Sequence, residues 1–176
     1  LGTVCDVVPL VGLNRALVAQ GLKVMAGRAN AGLAALADVA GLATPPEAYH
    51  AGFVLGPRVN AGGRIGAPDL GARILSTEDA GEAAELARRL DALNRERQAI
   101  EARVLEDAIA RIEAERGPRA LAFVAGEGWH PGVVGIVAAR LKERYNVPAC
   151  VVALAGESGT GSGRSIAGVD LGAAGL

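Results

Sequence analysis

The chain has 176 residues, of which 51% are hydrophobic, and its formal net charge at pH 7 is −1. This composition excludes a disordered chain and suffices for one medium-sized or two small domains with apolar cores. Because the charges nearly balance and aromatic residues make up only 3%, the composition also excludes a polycationic or aromatic-rich surface for non-specific nucleic-acid binding. Any contact with phosphate groups must therefore be local.

The cysteines and the apolar runs indicate the compartment. Cys5 and Cys150 lie far apart without a CxxC partner, which argues against a zinc ribbon or a disulfide framework and favours a reducing compartment. No apolar run is long enough to span a bilayer, and no basic-then-apolar signal opens the chain. We therefore expect a cytoplasmic protein without a membrane partner. The missing initial Met and the glycine-rich end lead us to interpret the chain as an internal fragment or a decayed partial gene copy.

The N-terminal part is predicted to be helical and to carry one unusual carboxylate. Asp6 lies in an almost entirely apolar run, where a carboxylate must be paired, act as a cap or bind a metal. The sequence leaves a surface cap and a metal ligand both open. Apolar spacing and capping signals predict packing helices over 12–25, 30–42 and 44–54. His50 on the last of them is expected to be structural rather than a ligand.

A glycine-punctuated segment follows, GPRVNAGGR at 56–64, whose only polar side chains are Arg58, Asn60 and Arg64. Glycine permits close approach of the backbone to a ligand, and the guanidinium group offers a planar fork that matches phosphate oxygens. We therefore interpret this segment as a phosphate-reading loop.

One long helix is predicted over 76–116, because neither glycine nor proline occurs between Gly81 and Gly117. Ser76, followed by Asp79, resembles a capping start. Apolar residues at helical spacing form a seam that is expected to be buried, comprising Leu86, Leu90, Leu93, Ile100, Val104, Leu105, Ala108 and Ile112. At ~1.5 Å per residue the helix would be on the order of 50 Å long, so we expect it to join two domains. The alternative is one arm of a helical hairpin or coiled coil.

A parallel βαβ unit is predicted after this helix, with strands over 119–125 and 149–155 and a helix over 131–144. His130 would cap the helix at the carboxyl end of the first strand, which is where open α/β sheets bind ligands. The alternative is that His130 is a cap alone and that Trp129 fills the core.

The last motif is SGTGSGRS at 158–165, which we interpret as a glycine-rich turn that binds an anion. Successive backbone N–H groups in such a turn form a nest, with Ser162 and Ser165 donating hydrogen bonds and Arg164 clamping the anion. A flexible linker is the competing interpretation.

Together these motifs resemble the RecJ family of single-stranded-DNA-specific exonucleases, within the DHH/DHHA1 phosphoesterases. The resemblance rests on five stretches, LGTVCDVVPL at 1–10, GPRVNAGGR at 56–64, Leu93-Asn94 with Arg97, WHPGVVGIVA at 129–138 and GTGSGRS at 159–165. The last stretch is also shared with other DHHA1 domains, including those of short-oligonucleotide phosphoesterases and alanyl-tRNA synthetases.

The resemblance implies an α/β protein with three parts. These are the C-terminal part of a DHH catalytic domain at 1–75, a long connecting helix at 76–117 and a truncated DHHA1 domain at 118–176. In the family, the two domains face each other across a cleft that admits only single strands.

The resemblance also implies roles for individual residues. Asp6 matches a catalytic ligand of Mn²⁺ or Mg²⁺, and His130 matches a catalytic position near the reacting phosphate. Other positions match substrate-binding sites, with Arg58, Asn60 and Arg64 in the cleft and Gly161, Ser162, Gly163, Arg164 and Ser165 in the loop that holds a 5′-terminal phosphate. The Asp-His-His triplet that supplies further metal ligands is absent from this sequence, so we expect the chain alone to be inactive.

The expected function is therefore part of a metal-dependent exonuclease that degrades single-stranded DNA from 5′ to 3′ and releases 5′-mononucleotides in DNA repair and recombination. A DHH-family phosphoesterase acting on short oligonucleotides and a non-catalytic DHHA1 nucleic-acid-binding module are the alternatives.

Overall fold

The computed structural model describes residues 1–118 and 120–174 of the chain. Helices predominate, and the strands form one three-stranded sheet, which confirms the α/β class. Contacts divide the chain into two compact units, Leu1–Glu96 and Arg97–Leu176. The boundary between them falls inside the long helix that the sequence predicts. Within the described ranges, no helix combines the length and apolar character needed to cross a membrane.

The first unit is helical. Its elements are α1 (Gly2–Cys5), α2 (Gly12–Ala26), α3 (Ala31–Val39), a π-helical segment (His50–Leu55), α4 (Gly56–Ile65), α5 (Leu70–Ser76) and the first part of α6 (Ala80–Ala114). Its apolar core includes Leu36, Leu55, Leu70, Ile74, Leu86 and Leu90. The helices predicted over 12–25 and 30–42 are confirmed as α2 and α3, although α3 ends earlier than predicted.

The helix predicted over 44–54 begins later and does not stop where predicted. It starts at Ala48, passes through the π-helical segment and continues directly into α4. The backbone N–H of Glu47 donates to Nδ1 of His50 at 3.0 Å. His50 therefore has the structural role expected of it, as the residue that satisfies an unpaired N–H group at the helix start.

The predicted phosphate-reading loop at 56–64 is wrong as a loop, because these residues form α4. Its glycines make room for packing. A Cβ atom on Gly56 would overlap Sγ of Cys5 and lie 2.9 Å from the carbonyl oxygen of Ala51, and one on Gly62 would lie 3.1 Å from Cβ of Leu70. Glycine is needed at these positions for close helix packing, and neither has a positive φ.

The long helix is confirmed as α6, but it begins at Ala80. Ser76, the predicted start, is the last residue of α5. Asp79 caps α6 instead, since its Oδ1 accepts the backbone N–H of Glu82 at 2.7 Å, and the Glu82 carboxylate accepts the hydroxyl of Thr77 at 2.6 Å. These three polar groups account for the later start, because side chains that accept backbone N–H groups end the preceding turn and begin the next helix.

The second unit contains the predicted βαβ unit, with β1 (Ala122–Glu127), α7 (Pro131–Tyr145) and β2 (Ala149–Ala155), followed by β3 (Ser158–Arg164) and α8 (Leu171–Ala174). The first two strands are parallel, with Ala122 opposite Ala149. Arg119, the first residue of the predicted first strand, and residues 175–176 of the predicted domain lie outside the described residues. The core lies between the sheet and the helices, and it includes Val104, Ala108, Ile112, Val124, Val133, Val137, Leu141 and Val151.

The predicted glycine-rich turn at 158–165 is wrong as a turn, because residues 158–164 form β3, antiparallel to β2. Extended backbone alternates its side chains between two faces. It does not gather successive N–H groups into the concave nest that the sequence suggested. The predicted anion site must therefore depend on side chains.

Candidate functional site

His130 lies where the sequence predicts, at the start of α7. Its backbone is extended, its Nδ1 atom accepts the N–H of Gly132 at 3.0 Å, and Pro131 occupies the first helical position. A ring nitrogen that accepts a hydrogen bond carries no proton, so the neutral imidazole holds its proton on Nε2. The side chain is partly exposed. His130 therefore acts as a cap through one nitrogen and keeps the other for a ligand.

Trp129 fixes the backbone that carries His130. The indole is buried, and its Nε1 donates to Oδ2 of Asp107 at 2.9 Å. The other oxygen of Asp107 accepts from Nε of Arg111 at 3.0 Å, and Arg111 also donates to the carbonyl of Ala125 at 3.1 Å. The guanidinium carbon of Arg111 lies 5.4 Å from the centre of the Trp129 ring, a distance at which a cation is attracted to the ring face.

The two hydrogen bonds to Asp107, first that from Arg111 and then that from Trp129, hold the pKa of this carboxyl below its usual range. A core position for Trp129 is one of the two alternatives that the sequence leaves open, and the buried indole supports it. Asp107 as its partner is not predicted, because the Asp107–Arg111 spacing is also typical of a solvent-exposed helical pair. A Cβ atom on Gly126 would lie 2.6 Å from Cζ2 of Trp129. Glycine at 126 is therefore what admits the indole.

Two predicted substrate-binding side chains meet on one face of β3. Ser162 is opposite Val151 and Arg164 is opposite Ala149, and both β2 residues point into the core beneath α7. Nη1 of Arg164 donates to Oγ of Ser162 at 3.1 Å and to the carbonyl of Gly163 at 2.8 Å. Because Ser162 accepts this bond, its own hydroxyl proton remains for a ligand.

Gly159, Gly161 and Gly163 occupy the opposite face of β3, where side chains of β2 lean over the backbone. A Cβ atom on Gly159 would lie 2.8 Å from Cγ1 of Val152, and one on Gly161 would lie 3.1 Å from Cγ2 of the same residue. Gly161, which is predicted to bind substrate, thus makes room for Val152, whereas a Cβ atom on Gly163 would make only ordinary contacts, the nearest at 3.4 Å from Sγ of Cys150.

Ser165 lies beyond the end of β3 and contributes to a turn. Its hydroxyl donates to the carbonyl of Val169 at 2.6 Å. The single proton of this hydroxyl is therefore used within the chain, which leaves Ser165 only its lone pairs for any other partner.

The three polar residues of α4 do not form one cluster. Nε of Arg58 donates to Oδ1 of Asp91 at 2.9 Å, and Nη1 donates to the carbonyl of Val54 at 2.6 Å. Asp91 is buried and also pairs with Arg95 at 2.6 Å. Asn60 and Arg64 are both exposed and lie four residues apart, which places them on a common helix face.

Asp91 belongs to a row of buried polar residues on α6. The buried polar residues of α6 are Asp91, Asn94 and Arg97. Their recurrence at every third position is the signal that identifies a buried polar stripe, since residues three apart lie on the same side of a helix.

Asp6 follows α1 and is exposed, and its backbone N–H donates to the carbonyl of Gly2 at 2.8 Å. Within residues 1–118 and 120–174, no group of three or more His, Cys, Asp and Glu side chains lies close enough to hold a metal ion. Mn²⁺ and Mg²⁺ favour several oxygen ligands in a fixed geometry. The described side chains therefore do not fit a complete site for either ion, and Asp6 is a single candidate ligand.

Comparison with known proteins identifies a domain class for the second unit. Residues 117–174 match the DHHA1 domain, so the second unit contains a DHHA1 domain.

Nearly the whole chain is similar to RecJ proteins. It is 44% identical to the single-stranded-DNA-specific exonuclease RecJ of Escherichia coli (strain K12) over 97% of this chain and 31% of that protein. It is 40% identical to RecJ of Bacillus subtilis (strain 168) over 97% of this chain and 22% of that protein. The crystal structure of RecJ in complex with Mn²⁺ from Thermus thermophilus matches with a TM-score of 0.84 and 36% identity over 96% of this chain and 24% of that chain. The complex with Mg²⁺ from the same organism gives 0.85 and 36% over 98% and 27%.

The resemblance to the RecJ family is thereby confirmed. Over the segment that it spans, the chain is similar to RecJ proteins in both sequence and fold. It covers about a third of the length of the Escherichia coli relative.

Proposed function

We propose that this chain is part of a metal-dependent exonuclease that degrades single-stranded DNA from 5′ to 3′ and releases 5′-mononucleotides. The observation that carries the proposal is agreement in both sequence and fold with RecJ over almost the entire chain, at 44% identity to the Escherichia coli protein and a TM-score of 0.84 to the Thermus thermophilus complex with Mn²⁺.

Asp6 would contribute one ligand to Mn²⁺ or Mg²⁺, together with ligands from the rest of the protein. A bound divalent cation supplies activation of water and neutralisation of phosphodiester charge. The exposure of Asp6 supports this role, because its carboxylate is open to a further partner.

His130, Ser162 and Arg164 would bind phosphate groups of the substrate. The proton on Nε2 of His130 and the free hydroxyl proton of Ser162 are suited to anionic oxygens, and the Arg164 guanidinium adds charge-assisted hydrogen bonds. We propose that Ser162 and Arg164 bind the 5′-terminal phosphate. Asn60 and Arg64 would bind the DNA backbone from α4, and Arg58 would support that helix through Asp91.

The proposed biological setting is DNA repair and recombination in the cytoplasm. Both cysteines, Cys5 and Cys150, are free thiols, which suits a reducing compartment.

The test is an assay of the product of the complete gene on one sequence as single-stranded and as duplex DNA, with a label at either end. The proposal predicts release of mononucleotides from the single strand, starting at the 5′ end, in the presence of Mn²⁺ or Mg²⁺ and not in the presence of a chelator. The purified 176-residue chain should release none. Equal digestion of the duplex or digestion without metal would contradict the proposal.

The same assay separates the alternatives. Faster hydrolysis of the shortest oligonucleotides than of long single strands would favour a short-oligonucleotide phosphoesterase. Binding of single strands without hydrolysis would favour a DHHA1 binding module.

A further inference from the structure

We infer that Gly135 is a positioning residue for the terminal phosphate, because it leaves the space in which Arg164 and Ser162 lie together against α7. This inference rests on the proposed function of these two side chains. It adds a residue that itself has no side chain with which to contact DNA.

Nothing in the local helix geometry requires glycine at position 135. It lies inside the 15-residue helix α7, where glycine lowers stability by roughly 0.5–1 kcal/mol relative to alanine. Its φ is not positive, so no turn or cap requires it. The neighbouring positions 133, 134, 137 and 138 are all apolar residues of the core, and alanine at 138 shows that a methyl group is compatible with this part of the helix.

The contacts of Gly135 supply the reason. A Cβ atom there would lie 3.2 Å from Nη2 of Arg164, 3.2 Å from Oγ of Ser162 and 3.6 Å from Cβ of Ser162. The first two distances are tighter than most real contacts of a Cβ atom, for which ordinary van der Waals contact begins at 3.4 Å, so the neighbouring atoms would have to move by a few tenths of an ångström. An alanine would therefore displace the ends of the two side chains proposed to bind phosphate.

The hydrogen bonds of Arg164 show which nitrogen atoms of its guanidinium group remain available to a ligand. Its Nη1 atom makes both hydrogen bonds that the described residues provide, to Ser162 and to the Gly163 carbonyl. Nη2 and Nε retain their protons for a ligand. Nη2 is the atom that lies beside Gly135, so the glycine borders the part of the guanidinium that remains available.

The inference predicts a change in discrimination between strand ends rather than a general loss of binding. The measurement is the dissociation constant of one oligonucleotide with and without a 5′-phosphate, at fixed salt, for the product of the complete gene silenced by Asp6→Asn. Gly135→Ala should reduce the preference for the phosphorylated end about 3-fold to 10-fold, a part of the value of a charge-assisted hydrogen bond.

The matched control is Gly21→Ala, the same substitution inside α2. A Cβ atom there has no atom within 4 Å, so this variant should keep the full preference. Combining Gly135→Ala with Arg164→Ala should cost less preference than the sum of the two single losses, because part of the effect of Gly135 passes through Arg164 and is absent once that side chain is removed. A purely structural role of Gly135 would not give this non-additivity.

Several results of these measurements would overturn the proposed role of Gly135. An unchanged preference in folded Gly135→Ala, or additive losses in the double variant, would overturn the inference while leaving the proposed function intact. Unfolding of Gly135→Ala alone would show that packing requires the glycine, which also overturns the inference. If the unaltered protein does not distinguish the two strand ends, end recognition by Arg164 fails and the inference fails with it.

Discussion

Two glycine-rich segments of this chain carry arginine, and they distribute their polar groups differently. In α4, the helical repeat places Arg58 against the buried Asp91, whereas Asn60 and Arg64 are exposed. In β3, the two-residue repeat of the strand places Ser162 and Arg164 on one face and the glycines on the other. Glycine and arginine in one short stretch therefore do not define a phosphate site until the secondary structure is known.

Different atoms fill the space that the glycines leave. Gly56 and Gly62 of α4 admit Cys5 and Leu70, which are parts of the first unit's own packing. Gly159 and Gly161 of β3 admit Val152, and Gly135 on α7 admits the polar ends of Arg164 and Ser162. Only the last of these close approaches involves side chains with protons left for a ligand.

The largest expected effect on activity comes from Asp6, which lies outside both glycine-rich segments. Asp6→Ala in the product of the complete gene should lower metal-dependent hydrolysis at least ~10³-fold, which corresponds to ~4 kcal/mol of barrier, because it removes a proposed metal ligand. The measurement is turnover on single-stranded DNA together with the melting temperature. Asp38→Ala removes another exposed carboxylate of the first unit and should leave turnover unchanged. Near-normal turnover of Asp6→Ala would contradict the ligand assignment.

The packing role of the α4 glycines is tested by two identical substitutions in one helix. Gly56→Ala should destabilise the chain by about 1–3 kcal/mol through overpacking against Cys5 and Ala51. Gly63→Ala, whose Cβ would have no atom within 4 Å, should stabilise it by roughly 0.5–1 kcal/mol through helix propensity. The measurement is the free energy of unfolding in denaturant. Equal effects of the two variants would show that Gly56 is not a packing glycine.

A smaller effect is expected from the anchor of His130. The pKa of Asp107 is lowered in the folded protein, so its contribution to stability is present above the unfolded pKa and is lost as pH falls through the lowered folded value. Because Trp129 is the only tryptophan, its fluorescence reports this contact directly. We expect the emission to stay constant from neutral pH to below the usual range of an aspartate and then to change. Asp107→Asn should remove that acid transition, and an identical transition in the variant would contradict the assignment.

The sequence correctly predicted those helices and strands whose residue pattern continues without interruption over many positions. The long helix is recognisable because no glycine or proline interrupts it after Gly81, and the βαβ unit because its strands are apolar and Pro131 begins its helix. The predicted helix start was wrong because Ser76 and Asp79 are both residue types that cap helices. Only the hydrogen bond that the backbone N–H of Glu82 donates to Oδ1 of Asp79 decides between them.

The candidate site was harder to predict because its key contacts join distant residues. Asp107 and Trp129 are 22 positions apart, and Arg58 and Asp91 are 33 positions apart. Local spacing gives no signal for either pair. The role of Gly135 was missed for the same reason, since a glycine in sequence shows that a side chain is absent but not which neighbour occupies its place.

We propose different roles for the arginines of α4 and β3, with Arg58 supporting the fold and Arg164 binding the terminal phosphate. The decisive measurement is the preference of the Asp6→Asn product of the complete gene for a 5′-phosphorylated over a 5′-hydroxyl oligonucleotide, at fixed salt because phosphate contacts depend on salt. Arg164→Ala should lower this preference roughly 10-fold to 150-fold, the value of a charge-assisted hydrogen bond of ~1.5–3 kcal/mol. Arg58→Ala should keep the preference and instead lower the free energy of unfolding, because it leaves Asp91 buried with one partner fewer. Equal loss of affinity for both oligonucleotides on Arg164→Ala, or loss of the preference on Arg58→Ala in a protein of unchanged stability, would contradict the account.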